Sequence, residues 1–183
     1  MEEHDLDFQY IFEAYHAKIV RYLARLVGER EAEDLAQEVF LRVNRGIKDF
    51  RGDSQLSTWL YRIATNTAID KIRSASFRQE AGISDLEDSD QAVDSDLWTG
   101  EEALSLEQQL MRSEMYECFL DFVKRLPPGY RSIIVLSELE NLPNREIAEI
   151  LGLSLDVVKI RLHRGRARLF QELKAHCRAE DWL

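Results

Sequence analysis

The chain has 183 residues, 45% of them apolar, with 24 basic and 34 acidic side chains and a net charge of −10. That length holds one domain or two small ones, and the apolar share is that of a folded soluble protein. No run is long and apolar enough to cross a bilayer, and the start, Met1-Glu2-Glu3-His4-Asp5, is acidic where a signal peptide is basic.

Cys118 and Cys177 are isolated and lack metal-ligand spacing, so reduced thiols, no metal and a cytoplasmic location are expected. Phe8, Ile11, Phe12, Tyr15, Ile19, Tyr22, Leu23 and Leu26 recur at three- and four-residue steps and predict a first helix with that stripe inward, stopped at Gly28. A second helix follows with Ala32, Leu35, Ala36, Val39, Phe40 and Val43 inward and Glu33, Asp34, Gln37, Glu38 and Arg42 outward. Neither helix carries a nucleophile paired with a base, a phosphate-cradling glycine loop or a ligand cluster. An enzyme is not expected, nor a cofactor.

The next stretch runs Phe50-Arg51-Gly52-Asp53-Ser54-Gln55 and then Leu56-Ser57-Thr58-Trp59-Leu60-Tyr61-Arg62-Ile63-Ala64. A polar loop here leads into an amphipathic helix whose inner stripe is Leu60, Ile63, Ala64, Thr67 and Ala68. Arg62, Asn66, Asp70 and Arg73 lie along another face at steps of four, four and three. Aromatic rings, amides and cations together suit single-stranded nucleic acid, whose bases stack on rings while cations follow the backbone. Trp59 is more simply a packing residue.

The charge is unevenly spread. Residues 1–78 carry 12 basic and 13 acidic groups, residues 79–113 one and ten, and residues 114–183 eleven of each. Residues 79–106 are rich in Ser, Asp, Glu and Gly and read as a flexible acidic linker. A linker of that length reaches roughly 30 Å on average, comparable to one DNA turn of about 34 Å. It is either a solvated spacer or a nucleic-acid mimic that shields a basic surface or enters a partner's positive channel.

Residues 144–170 spell a helix-turn-helix. Ala148 permits a close helix crossing, Gly152 suits a turn that needs positive φ, and Ser154 is placed to cap the second helix. Ile147, Leu151, Leu153, Val158 and Leu162 are expected between the helices. With Val158, Leu162, Gly165 and Leu169 turned inward, Lys159, Ile160, His163 and Arg164 fall on the opposite face, with Arg161 and Arg168 on one flank and Arg166 on the other. Between positions 159 and 178 seven cations face a single acid, Glu172. Such a helix fits a major groove, with Lys159 and Arg164 suited to guanine edges, Ile160 to a thymine methyl and the flanking arginines to phosphates.

Three ordered motifs together resemble the extracytoplasmic-function group of bacterial sigma factors, in the sigma-70 family. Asp34-Leu35-Ala36-Gln37-Glu38-Val39-Phe40 is similar to the helix that docks on core RNA polymerase. Phe50-Arg51-Gly52-Asp53-Ser54, Thr58-Trp59-Leu60-Tyr61-Arg62-Ile63-Ala64, Asn66 and Asp70 resemble the segment that melts and reads the promoter −10 element. Leu126-Pro127-Pro128-Gly129-Tyr130-Arg131 and the helix-turn-helix resemble the module that reads the −35 element, with Val158-Lys159, Arg161-Leu162 and Arg164-Gly165-Arg166 matching its recognition helix.

The resemblance implies polymerase docking through Asp34, Gln37, Glu38 and Arg42, and −10 recognition through Phe50, Arg62, Asn66, Asp70 and Arg73. It implies −35 recognition through Lys159, Ile160, Arg161, His163, Arg164, Arg166 and Arg168. Core RNA polymerase, promoter DNA and an anti-sigma factor are the implied partners, with no membrane insertion by this chain. Gly165, Val157 and Ile160 stand where the family often has alanine, threonine and a small polar residue.

The expected architecture is all-α: an N-terminal helical domain over residues 1–78, the flexible acidic linker over 79–106, and a C-terminal helix-turn-helix domain over 107–183. The competing function is a stand-alone helix-turn-helix regulator of duplex DNA, against which the motifs at residues 34–40 and 50–73 argue.

Overall fold

A computed structural model describes residues 7–78 and 106–176. The acidic segment lies outside the described residues except for Leu106, and Cys177 lies outside them altogether. Helices and their connecting turns make up the described residues, as expected of an all-α chain.

Asp7 starts α1 (Phe8–Val27) by accepting the Gln9 N–H at 3.0 Å, which satisfies one of the donors a helix leaves open at its start. Gly28, at φ +97°, donates to the Ala24 carbonyl at 3.0 Å and ends the helix. With a single residue between them, α2 (Glu29–Gly46) must fold against α1. Ile11, Ile19, Tyr22, Leu23 and Leu26 are buried against Ala32, Leu35, Ala36, Val39, Phe40 and Val43.

Phe12 departs from the expected stripe. It is 36% exposed beside the fully buried Ile11, with its ring 4.6–6.1 Å from those of Phe8, His16 and Phe40. A 3-10 turn (Ile47–Asp49) and a polar loop lead to α3 (Leu56–Arg78). Trp59 is a packing residue: its ring lies 5.1 Å from that of Phe50 and so close to Gly46 that a Cβ there would sit 3.3 Å from it.

α3 closes the first core with Leu60, Ala64 and Ala68. Its buried polar residues are paired. The Thr65 hydroxyl donates to the Tyr61 carbonyl at 2.6 Å and stands 2.7 Å from the Tyr22 hydroxyl, whose ring meets Tyr61 edge-on at 5.0 Å. Burial pushes the Tyr22 phenol well above its ordinary value, so it stays a neutral hydrogen-bonding group.

In the second half, α4 (Leu106–Arg125) precedes α5 (Pro128–Ile134), which Pro128 opens in the first turn where a missing N–H costs nothing. Residues 133–136 are fully buried, so this apolar run is core. The helix then widens through a π-type turn (Val135–Leu139), where the Glu140 N–H reaches back five residues to the Val135 carbonyl at 3.0 Å. Asn141 follows at φ +53°, and the Leu142 N–H reaches the Leu136 carbonyl at 3.0 Å.

The helix-turn-helix itself is α6 (Asn144–Leu151) and α7 (Leu155–His176). Gly152 takes the left-handed conformation at φ +63°, and Ser154 Oγ accepts the Val157 N–H at 3.3 Å. Ile147, Val158 and Leu162 are buried as expected, while Leu151 and Leu153 are only half-buried at the rim, beside the open turn.

Candidate nucleic-acid interface

On α7, Val158, Leu162, Gly165 and Leu169 point into the core. Gly165 brings the helix close to α5: a Cβ there would lie 3.1 Å from Ile134 Cγ1 and 3.5 Å from Tyr130 Cδ1. This contact sets the rotation of α7. Lys159, Ile160, Arg161 and His163 are accordingly exposed, Ile160 by 50%, and Arg164 is half-buried beside them.

Two flanking cations are held by their own half. Arg166 donates from Nε and Nη2 to Glu138 Oε1 at 3.0 and 2.7 Å, and Arg168 stacks its guanidinium over the Tyr130 ring at 4.8 Å. Glu138 was invisible as a partner in the pattern of α7 because it comes from the π-type turn, 28 residues upstream.

On α3, the four residues of the polar stripe do not share one environment. Arg62 and Asn66 line an open cleft of about 400 Å³ whose other wall is Glu149, Ile150, Leu151 and Gly152 from the helix-turn-helix. Asp70 and Arg73 lie exposed further along the helix. Phe50 is half-buried against Trp59 rather than free at the loop tip.

Asp34, Gln37, Glu38 and Arg42 are exposed together on the outer face of α2. Arg42 pairs with Glu38 at 2.6 Å and reaches Asp70 at 3.8 Å, joining this face to the α3 stripe. These groups are about half exposed, so the pairs contribute well under 1 kcal/mol. Leu41, 58% exposed on the same face, is an apolar member that periodicity alone marks only as an anomaly on a polar surface.

The two halves touch through an ionic seam. Glu140 accepts from Arg25 Nη1 at 2.6 Å and from the Tyr61 hydroxyl at 2.5 Å, and Arg25 Nη2 also meets the Tyr116 hydroxyl at 3.2 Å. Burial, and then the hydrogen bond to Glu140, raise the Tyr61 phenol far above its ordinary value, which keeps the proton on it as a donor.

Arg131 spans the seam as well, donating to the Leu26 carbonyl at 2.6 Å and the Leu126 carbonyl at 3.0 Å. Leu26 sits in the last turn of α1, where a cation also complements the helix dipole. Burial lowers the guanidinium's proton affinity, the cost of taking a charge out of water. Thr58 donates to Glu146 at 3.1 Å and Arg62 to Glu149 at 2.9 Å.

With two helical halves, one a helix-turn-helix with a basic outer face, the chain has the make-up of a DNA-directed specificity subunit. Comparison with known proteins gives the same class: the family model of Sigma-70 region 2 matches residues 11–78, and that of Sigma-70, region 4 matches residues 116–169. The ECF RNA polymerase sigma factor SigW of Bacillus subtilis is 36% identical over 91% of this chain and 89% of its own. The ECF RNA polymerase sigma-E factor of Haemophilus influenzae is 31% identical over 91% and 87%.

The chain belongs to the extracytoplasmic-function sigma factors of the sigma-70 family and directs transcription as a sigma factor. Its fold is shared by the sigma factor RpoE of Bartonella quintana, solved in complex with the anti-sigma factor NepR. That match has a TM-score of 0.66 at 22% identity, over 93% of this chain and 98% of that one.

Proposed function

We propose that residues 1–78 bind core RNA polymerase and read the −10 element, that residues 107–183 read the −35 element, and that the acidic residues 79–106 tether the two. Asp34, Gln37, Glu38 and Arg42, with Leu41 among them, form the polymerase-docking face. Phe50, Arg62, Asn66, Asp70 and Arg73 contact the unstacked non-template strand.

Lys159, Ile160, His163 and Arg164 contact base edges in the −35 major groove, and Arg161, Arg166 and Arg168 face its phosphates. For Arg166 this means exchanging Glu138 for a phosphate, whereas Arg168 can meet DNA while stacked. The chain acts without catalysing a reaction itself, in the cytoplasm, and an anti-sigma factor is its regulatory partner. No helix among the described residues is long and apolar enough to cross a membrane.

The observation that carries this function is the exposed row of Lys159, Ile160, Arg161 and His163 on the second helix of a helix-turn-helix. The test is transcription by core RNA polymerase, with and without the protein, on fragments of its host genome that include its own upstream region. Transcripts that appear only with the protein support the assignment. Tight duplex binding by the protein alone, with no polymerase binding, would make it a stand-alone regulator and overturn the division of labour.

A further inference from the structure

The two flanks of α7 are prepared differently for DNA. On one, Arg168 is held at 4.8 Å over the face of Tyr130, a ring that no phosphate has to displace from its N–H groups. On the other, Arg166 is already occupied by an anion. Its Nε and Nη2 donate to a single oxygen of Glu138, at 3.0 and 2.7 Å, and the Ser137 hydroxyl donates to that same oxygen at 2.9 Å.

We propose that Glu138 is a built-in competitor for the DNA backbone: it holds Arg166 as a phosphate would, and so sets how tightly the helix-turn-helix grips DNA without touching a base. The proposal rests on the assignment of α7 to the −35 groove.

Glu138 is fixed in place rather than swinging free. It belongs to the π-type turn, one turn beyond Ile134, whose side chain meets Gly165, the neighbour of Arg166. With three donors converging on one oxygen, its carboxylate has a defined position beside α7. The pair is nonetheless open to exchange. Arg166 is 57% and Glu138 34% exposed, so a phosphate can reach the guanidinium, and a pair this exposed is weak enough to be broken.

Such an exchange has an ionic signature. An arginine that reaches a phosphate releases a counterion from the DNA, adding about 0.9 to the slope of log affinity against log salt. When Arg166 makes that move it bares Glu138 beside the duplex, and the carboxylate attracts a cation in turn. The two effects nearly cancel, so Arg166 contributes little to the salt dependence while Arg168 contributes in full. A phosphate contact carries no sequence information, so the competition weakens binding to every sequence alike and leaves selection to the base-reading side chains.

The test measures binding of holoenzyme, assembled from core RNA polymerase and the full chain, to labelled promoter duplexes with the −35 element intact or scrambled. Salt is varied from about 50 to 200 mM. Glu138→Gln keeps the shape of the side chain and is expected to tighten binding to both duplexes about 2- to 5-fold, the range of an exposed ion pair, and to steepen the salt slope by about 0.9. In an Arg166→Ala background the same change should have no effect. Arg166→Ala alone should leave the slope nearly unchanged, whereas Arg168→Ala lowers it by about 0.9. That last comparison leaves Glu138 in place, so it decides the matter even if Glu138→Gln disturbs the turn.

Unchanged affinity in a folded Glu138→Gln variant would overturn the competition. A gain confined to the intact −35 element, or one that persists without Arg166, would overturn it too, since Glu138 would then act through the position of α7. So would a slope that falls as far for Arg166→Ala as for Arg168→Ala. If neither Arg164→Ala nor Arg168→Ala weakens binding, the assignment of α7 to DNA has failed, and the competition with it.

Discussion

Replacing Arg131 with alanine tests whether the seam and the entry to the helix-turn-helix share one anchor. Its guanidinium makes two charge-assisted bonds, at 2.6 Å to the Leu26 carbonyl and 3.0 Å to the Leu126 carbonyl. At about 1.5–3 kcal/mol each, these bonds are worth roughly 3–6 kcal/mol together. Part of this is offset, because the guanidinium is half-buried and its Nε lacks an acceptor, so its removal relieves a desolvation cost.

The expected loss is about 2–4 kcal/mol, or roughly 4–16 °C in Tm for a chain of this size. Urea and thermal unfolding followed by far-ultraviolet circular dichroism measure it. Arg131→Lys, which keeps the charge but not the fork, should recover about half. A loss below about 0.5 kcal/mol for Arg131→Ala, or full recovery with lysine, would refute the two-carbonyl anchor.

Four further outcomes are expected. Gly152→Ala forces a β-carbon into φ +63° and should cost about 1–2 kcal/mol of stability by urea unfolding, while Gly152→Asn costs less; equal losses would contradict a conformational cause. Arg164→Ala should weaken use of a cognate −35 element by about 1–3 kcal/mol, read as promoter-specific transcript yield, and unchanged yield would remove it from the base-reading set. Asp34→Ala combined with Glu38→Ala should reduce core polymerase affinity with normal circular dichroism, and full affinity would shift the docking face elsewhere.

The fourth concerns alkaline pH. The raised phenol of Tyr22 gives a contribution that is complete below the unfolded value near 10 and falls as pH rises toward the folded value. Stability should then drop by about 1.4 kcal/mol per pH unit from this group above pH 10, a slope that Tyr22→Phe removes.

What the sequence disclosed was whatever depends on neighbours a few residues apart. The rotation of α7 followed from Val158, Leu162, Gly165 and Leu169, and the turn from Gly152 and Ser154, because period and backbone conformation are local. Phe12 obeyed the same period and still emerged exposed beside the fully buried Ile11, since periodicity assigns a face but cannot say where its edge falls. The ionic seam was illegible for a different reason: Arg25 and Glu140 are 115 residues apart, and a charge in a pattern carries no address for its partner. For the same reason Arg166 read as an unopposed cation, although Glu138 stands 2.7 Å away.

Arg42 links two surfaces that experiments would treat as separate. Its guanidinium lies 2.6 Å from Glu38 on the proposed polymerase side and 3.8 Å from Asp70 on the proposed DNA side. A substitution there perturbs both ledges at once, so a defective Arg42 variant cannot be charged to docking alone. Gln37 and Leu41, exposed on the same helix, are the cleaner probes of docking, and Asn66 that of strand recognition. A phenotype shared by Arg42 and Asp70 variants but absent from Gln37 and Leu41 would locate its origin at the junction of α2 with α3.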